Sequence, residues 1–333
     1  MSVLVLAELD GSSVADASLR ALSLARDLDE ALAVALFPSG AELEGAGLPG
    51  PAVEQLAAYG VADVYAADVP GLAGYAPAAW ARAMAGLAES GVAQGGPVTA
   101  VVAAATDRGS EVLAHLGAIT GLPVAANCVS VGAAEPGRWE LVRQRWAGSL
   151  LEDAELEASL AVLTVAADAV TARPAAAPAG TTVHVFRPEI PAEDLLVRAA
   201  ESAERGGGMS LATARVVVGG GRGVGGPDGF APLEELAGLL GGALGVSRVV
   251  TSQGWRPHRQ QVGQTGTKIS PELYLACGIS GAIQHMAGCL SAKHIVAVNT
   301  DPDAPIIAHA DYAVIGDLGQ VIPALVEALR ARG

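Results

Sequence analysis

Cysteine, aromatic residues and positive charge are all scarce in this chain of 333 residues. The three cysteines, Cys128, Cys277 and Cys289, form no CxxC pair and have no metal-ligand spacing. That excludes a disulfide framework and a zinc module, and it fits a reducing compartment, so the expected location is cytoplasmic. Aromatics are 4% of the chain, so the core must be built from Ala, Val, Leu and Ile. Basic residues number 20 against 35 acidic ones, a net charge of −15. Such a surface argues against binding to nucleic acid or anionic lipid. No run of about 20 apolar residues escapes interruption by Gly, Pro or charge, so no membrane insertion is expected. The opening MSVLVLAELDG has a short apolar run and no basic residues before it, and reads as a first strand rather than a signal peptide. Also missing are a Gly-x-Ser-x-Gly elbow, an HExxH pair and a cysteine with a neighbouring base, the usual marks of protein-borne chemistry.

Apolar residues and glycine are abundant instead. Hydrophobic residues make up 51% and charged residues only 17%, which excludes a disordered chain, and the 42 glycines cluster without a period of three, which excludes collagen. The length suggests two domains. Short apolar runs at 3–7, 31–37, 61–66 and 98–105 alternate with helical patterns at 12–30, 51–58, 77–91 and 110–120, with Ser12 or Ser13 as a candidate cap for the first helix. Alternation of this kind means βαβ units and a mostly parallel sheet. Strand-like runs follow at 129–133, 139–146 and 161–165, then an Ala/Thr/Pro-rich loop at 166–180. A charged stretch leading into GGGMS at 206–210 marks a boundary. Beyond it the pattern predicts strands at 215–218, 247–251, 294–298 and 312–315 and helices at 232–242, 273–290 and 318–330. The fold class is therefore α/β, with two domains that each carry a mostly parallel sheet flanked by helices, the C-terminal one doubly wound. The expected limits are 1–190, a linker at 191–210, and 211–333.

Five polar motifs break this apolar pattern, all after residue 218. Gly221-x-Gly223-x-x-Gly226 follows a strand, but no acidic residue ends the next strand to hold a ribose, and Arg222 puts a cation inside the turn. It reads either as a turn bringing backbone amides and Arg222 towards a phosphate, or as a structural turn. The loop Gln261-Val262-Gly263-Gln264-Thr265-Gly266-Thr267-Lys268 lacks the spacing of a P-loop but is dense in hydrogen-bond donors. Gly278-Ile279-Ser280-Gly281-Ala282-Ile283-Gln284-His285 leads into a helical pattern, with Ser280 as a candidate N-cap. Asn299 and Asp301, at the carboxyl end of a strand, either hold a ribose or adenine edge or close a turn, and Asp317-Leu318 allows the same two readings. Together the motifs describe a nucleotide-sized ligand that brings its own chemistry.

The run from Gln261 through Pro271-Glu-Leu-Tyr, the Gly278–His285 segment, Val298-Asn299 with Asp301-Pro302-Asp303-Ala304-Pro305-Ile306, and Ala310-Asp311-Tyr312 resemble the alpha subunit of electron transfer flavoprotein, a family that includes the FixB-type proteins. The likeness is dense from about 215 to 330 and looser before it. It implies one FAD, held mainly by the C-terminal domain, and electron carriage from flavin dehydrogenases to an acceptor such as a quinone oxidoreductase. It also implies a heterodimer with a beta subunit that holds AMP, the N-terminal domain being a scaffold facing that subunit. By motif, Arg222 should approach the diphosphate. Ser247 and Arg248 should lie near the flavin, with Arg248 over the ring. Gln264 and Thr265 should contact the isoalloxazine, supported by Gln261, Val262 and Gly263. Gly278 and the segment Ser280, Gly281, Ala282, Ile283, Gln284 and His285 should take the diphosphate and ribityl side, with His285 near O2. Asn299, Asp301, Asp317 and Leu318 should hold the adenosine end. One-electron reduction of a flavin places negative charge at N1 and O2, where a cation and a donor would stabilise it. Thr267 before Lys268, and Thr300 after Asn299, depart from the family pattern. Two alternatives stay open: a bifurcating flavoprotein using NADH, and a redox-inactive adenine-nucleotide-binding protein. Cys277 and Cys289 read as small core residues.

Overall fold

The computed structural model describes residues 2–28, 32–38, 48–69, 72, 74–90, 96–166, 169–199, 211 and 214–331. The chain divides into two compact units, 1–203 and 204–333. Residues 200–210, which include the GGGMS stretch and much of the expected linker, lie outside the described residues. The earlier part of that linker folds: residues Ala192–Leu195 form a 3-10 turn, and Asp194 there pairs with Arg82 at 2.8 Å.

The first unit runs β1 (Ser2–Leu6), β2 (Leu9–Asp10), β3 (Ser13–Val14), α1 (Asp16–Leu28), β4 (Leu32–Leu36), α2 (Gly50–Ala58), β5 (Val61–Ala67), α3 (Pro77–Ser90), β6 (Val98–Ala104), α4 (Asp107–Thr120), β7 (Val124–Glu135), β8 (Arg138–Arg145), β9 (Leu150–Glu157), β10 (Ala161–Val165) and β11 (Thr182–Phe186). Its sheet has the order β11-β5-β4-β1-β6-β10-β7-β8-β9, parallel except for β7-β8-β9. β1, β4 and β10 are buried at every residue, so they read as continuous apolar runs rather than alternating ones. The proposed serine cap of α1 is not found. Ser13 pairs with Asp10 in a small hairpin, and the helix begins three residues later. α4 begins at Asp107 because the Thr106 hydroxyl accepts from Gly109 N at 2.9 Å, an N-cap that satisfies one of the free amides of the first turn.

The second unit runs β12 (Val216–Gly220), α5 (Ala231–Leu239), β13 (Ala243–Val246), α6 (Arg248–Ser252), β14 (Leu273–Cys277), α7 (Ile283–Met286), β15 (His294–Asn299), α8 (Pro305–His309), β16 (Tyr312–Ile315) and α9 (Leu318–Arg330). The order β13-β12-β14-β15-β16 is parallel throughout. α5, α6 and α9 pack one face around Phe230, Leu233, Val250 and Ile322, while Met286, Ile306, Val262 and Ile269 cover the other. That is the doubly wound arrangement the pattern predicts.

Two assignments are corrected. Residues 247–251 are not a strand. The strand is Ala243–Val246, and Ser247 and Arg248 open a helical turn at its carboxyl end. Residues 273–290 are not one helix. Leu273–Cys277 is the central strand of the sheet, and only Ile283–Met286 is helical. A run of five apolar residues has no period that separates a buried strand from a buried helix, and tertiary pairing with β12 and β15 decided it. Gly278, with φ +62, then turns the chain out of the sheet in a conformation costly to other residues.

Candidate functional site

In the second unit β12 lies between β13 on one side and β14 on the other, so successive crossovers leave in opposite directions there. Such a switch point opens a crevice beyond the carboxyl ends of the strands. Register places the ends Val246, Gly220, Cys277 and Val298 side by side, so whatever follows each strand converges on that crevice. The pairing continues past the strands: Gly221 N donates to Cys277 O at 2.9 Å, Gly223 N to Gly278 O at 3.0 Å, and Gly278 N to Val298 O at 2.8 Å. The turn and the Gly278 segment touch backbone to backbone. A Cβ on Gly221 would fall 2.2 Å from Gly278 O, and one on Gly223 2.7 Å from Gly278 Cα. Side chains are excluded from this seam, which is why the motif reads as glycine here.

A cavity of about 700 Å³ lies over these ends. Of the residues proposed from sequence, Arg222, Ser247, Arg248, Gln261 through Thr265, Gly278, Ser280, Ala282, Gln284, His285, Asn299 and Asp301 line it. Sequence reasoning left out Val249, Ser252 and Gln253, and it named Gly223, Ile279 and Ala304 only as parts of longer motifs. Val249 lies in the stretch misread as a strand, and Ser252 and Gln253 close the helical turn that forms there instead. Four proposed residues are not among the lining ones. Ile283 is 83% exposed at the start of α7. Gly281 is packed against the Ile306 backbone, 2.3 Å from where its Cβ would stand. Asp317 caps α9 by accepting from Gly319 N at 2.7 Å, and Leu318 is the first residue of that helix. Ser280 lines the cavity but is not the N-cap proposed for it. Ala282 holds that position without a side-chain bond, and Ser280 O accepts from Ile306 N at 3.1 Å.

The loop at 261–267 is tied to its surroundings at both ends. Val262 N donates to Val246 O at 2.9 Å, and Gln264 N to Gln284 O at 2.7 Å. Gln261 is only 2% exposed. Its amide oxygen stands 2.6 Å from the Thr251 hydroxyl, and its amide nitrogen donates to the Thr265 hydroxyl at 3.0 Å. Because Thr265 accepts there, its own O–H is left to donate to a ligand. Arg222 and Arg248 are both exposed at the cavity wall. Asn299 is partly committed: Nδ2 donates to Ile279 O at 2.9 Å and Oδ1 accepts from Asp301 N at 3.1 Å.

His285 is 7% exposed, and its Nε2 stands 2.8 Å from the hydroxyl of fully buried Tyr274. Burial lowers the imidazole to about 4, so the ring is neutral near pH 7; the Val262 backbone opposes that shift in part but does not reach Nδ1 in hydrogen-bond geometry. Cys277 and Cys289 are buried with thiols pushed up to about 12, as expected of core residues.

The first unit has a switch point of the same kind between β1 and β6. There the Thr106 hydroxyl meets the Glu8 carboxylate, so the crevice holds its own acid, which disfavours a phosphate. Among the described residues no group of three or more His, Cys, Asp or Glu could hold a metal ion, and no helix is long and apolar enough to cross a membrane.

Comparison with known proteins gives the same division of labour. The family profile described as "Electron transfer flavoprotein domain" matches residues 3–190, and the one described as "Electron transfer flavoprotein FAD-binding domain" matches 210–290. The chain is 40% identical to an electron transfer flavoprotein subunit alpha of Mycobacterium tuberculosis over 99% of its own length and 98% of the relative's. It is 38% identical to that of Mycobacterium leprae over the same shares. A third such subunit, from Thermoanaerobacterium thermosaccharolyticum, is 53% identical over 37% of each chain. The cavity lies in the second unit and draws most of its wall from the matched FAD-binding segment, and the similarity runs through nearly the whole length. The chain belongs to the electron transfer flavoprotein alpha-subunit family.

Proposed function

We propose that the chain binds one FAD in the cavity of its second unit and carries electrons between flavin dehydrogenases and an acceptor such as a quinone oxidoreductase. It works as a heterodimer with a beta subunit that holds AMP, the first unit serving as the scaffold towards that subunit. The observation that carries this reading is the cavity itself: a glycine seam no Cβ could enter, two arginines at its wall, and polar side chains of the 261–265 loop beside them. Each suits a different part of the cofactor. Backbone amides at a strand-end turn with Arg222 suit a diphosphate. The free donor at Thr265, with the Arg248 cation, suits a ring that gains negative charge. FAD supplies the one-electron chemistry when bound; the protein binds it, orients it and sets the field around it.

The test is the visible spectrum of the chain co-produced with its beta subunit, followed by chromatography of the released cofactor. Flavin bands, and FAD in the extract at one per chain, are expected. A colourless protein that releases only an adenine nucleotide would refute the reading.

A further inference from the structure

Three side chains form a relay at the cavity wall. Gln261 is buried, and its backbone is held on both sides, by Gln261 N donating to His258 O and Val262 N to Val246 O, each at 2.9 Å. Its carboxamide stands between two hydroxyls, with Oε1 2.6 Å from Thr251 Oγ1 and Nε2 3.0 Å from Thr265 Oγ1. Thr251 Oγ1 also lies 2.9 Å from Arg248 O, so its one proton has two acceptors to choose between. Thr265 is exposed and lines the cavity, within reach of a ligand there.

The proton count allows this relay two senses. In the first, Thr251 donates to Gln261 Oε1, the amide nitrogen donates to Thr265, and the Thr265 proton is left for an acceptor in the cavity. Half a turn of the carboxamide exchanges its oxygen and nitrogen at the same two positions. In that second sense Thr251 donates to Arg248 O, the amide nitrogen donates to Thr251, and Thr265 donates to the amide oxygen. The Thr265 lone pairs are then left to accept from a ligand atom that carries hydrogen. Neither sense strands a hydroxyl proton, so the occupant of the cavity decides between them.

We infer that Gln261 is a positioning residue: its carboxamide turns over with the redox state of the bound cofactor, so that Thr265 donates to a ring atom that accepts and accepts from the same atom once it carries hydrogen. The inference rests on the FAD reading above, because a flavin has a ring nitrogen of that kind, an acceptor when oxidised and an N–H when fully reduced. The ring receives its two electrons from a dehydrogenase and its proton from solvent. No proton passes along the relay, whose three groups only reverse the sense of their hydrogen bonds.

The experiment uses the complex with its beta subunit, made with glutamine carrying carbon-13 at the side-chain carbonyl. An infrared difference spectrum is recorded between the oxidised and the electrochemically reduced state, and the labelled band missing from Gln261→Met assigns Gln261. On reduction the Gln261 carbonyl exchanges a 2.6 Å contact for a 3.0 Å one, so its stretch should rise in wavenumber, since a longer hydrogen bond weakens C=O less. In Thr265→Val, which keeps the shape but not the hydroxyl, the shift should vanish although Gln261 is still present. A Gln261 band that stays still or falls on reduction overturns the inference. So does a shift that persists in Thr265→Val, because the charge of the ring and not the relay would then cause it. A merely structural role for Gln261 would lower stability in Gln261→Met and leave the native band unmoved. If Thr265→Val fails to hold FAD, the direction of the native shift decides. The visible spectrum of the same sample separates two failures: without flavin bands the FAD reading falls and this inference with it, whereas flavin bands with a static Gln261 sink the inference alone.

Discussion

Acid should destabilise the second unit through His285, and the size of the effect follows from its burial. The imidazole lies at about 4 in the folded protein against an ordinary 6.5. Above 6.5 the ring is neutral in both states and contributes no pH dependence. As pH falls from 6.5 to about 4 the unfolded chain takes up a proton that the folded one does not, so stability is lost across that window. Below about 4 both states are protonated and the loss levels off. At 1.36 kcal/mol per pH unit the whole gap is worth about 3 kcal/mol, a large part of the 5–15 kcal/mol typical of a domain. The assay is urea unfolding followed by flavin release, at steps from pH 7.5 to 4.5, on the native complex and on His285→Asn. Asn cannot titrate, so the difference between the two pH profiles isolates the histidine from every carboxylate. The native midpoint should fall more steeply than that of the variant between pH 6.5 and 4.5, by up to about 3 kcal/mol in total. Parallel profiles would mean that His285 is solvated or paired, and the account of its neutral ring would fail with them.

Three further outcomes are expected. Arg248→Ala should keep FAD but lower its first one-electron potential, with Arg248→Lys between; Arg248 is exposed and partly screened, so about 1 kcal/mol, or about 40 mV, is the scale for dye-equilibrated titration to detect. Gly278→Ala combines a φ of +62 with a Cβ 2.8 Å from Gly223 Cα and 2.9 Å from Leu318 Cδ1, so it should cost about 2 kcal/mol or more and weaken FAD binding with it; unchanged melting and affinity would mean the seam is looser than described. Cys128, Cys277 and Cys289 are buried with thiols near 12, so a thiol reagent at pH 8 should label none of them in minutes and all three in urea, read by mass spectrometry.

Most of the site could be read without the fold, for a physical reason. A ligand-binding turn must interrupt an apolar run with glycine or polar donors, and in so apolar a chain those interruptions at 221–226, 261–268, 278–285 and 299–301 stand out. The alternation of strands and helices was legible for the same reason, because buried parallel strands leave unbroken runs of Val, Leu and Ala. Only the tertiary structure decided the rest. Leu273–Cys277 and Ala243–Val246 became strands because β12 offers an edge to each. The charged hairpin strand Leu150–Glu157 exists through pairing with β8 and the exposed edge strand Thr182–Phe186 through pairing with β5, and neither has an apolar run to announce it. Asp317 caps α9 through its bond to Gly319 N, a contact that residue order alone does not reveal. Nothing local links Tyr274 to His285, which are eleven residues apart in different elements. A strand, two glycine turns and a short helix must fold together before that hydroxyl and that imidazole can meet, and residue order alone does not specify distances between side chains.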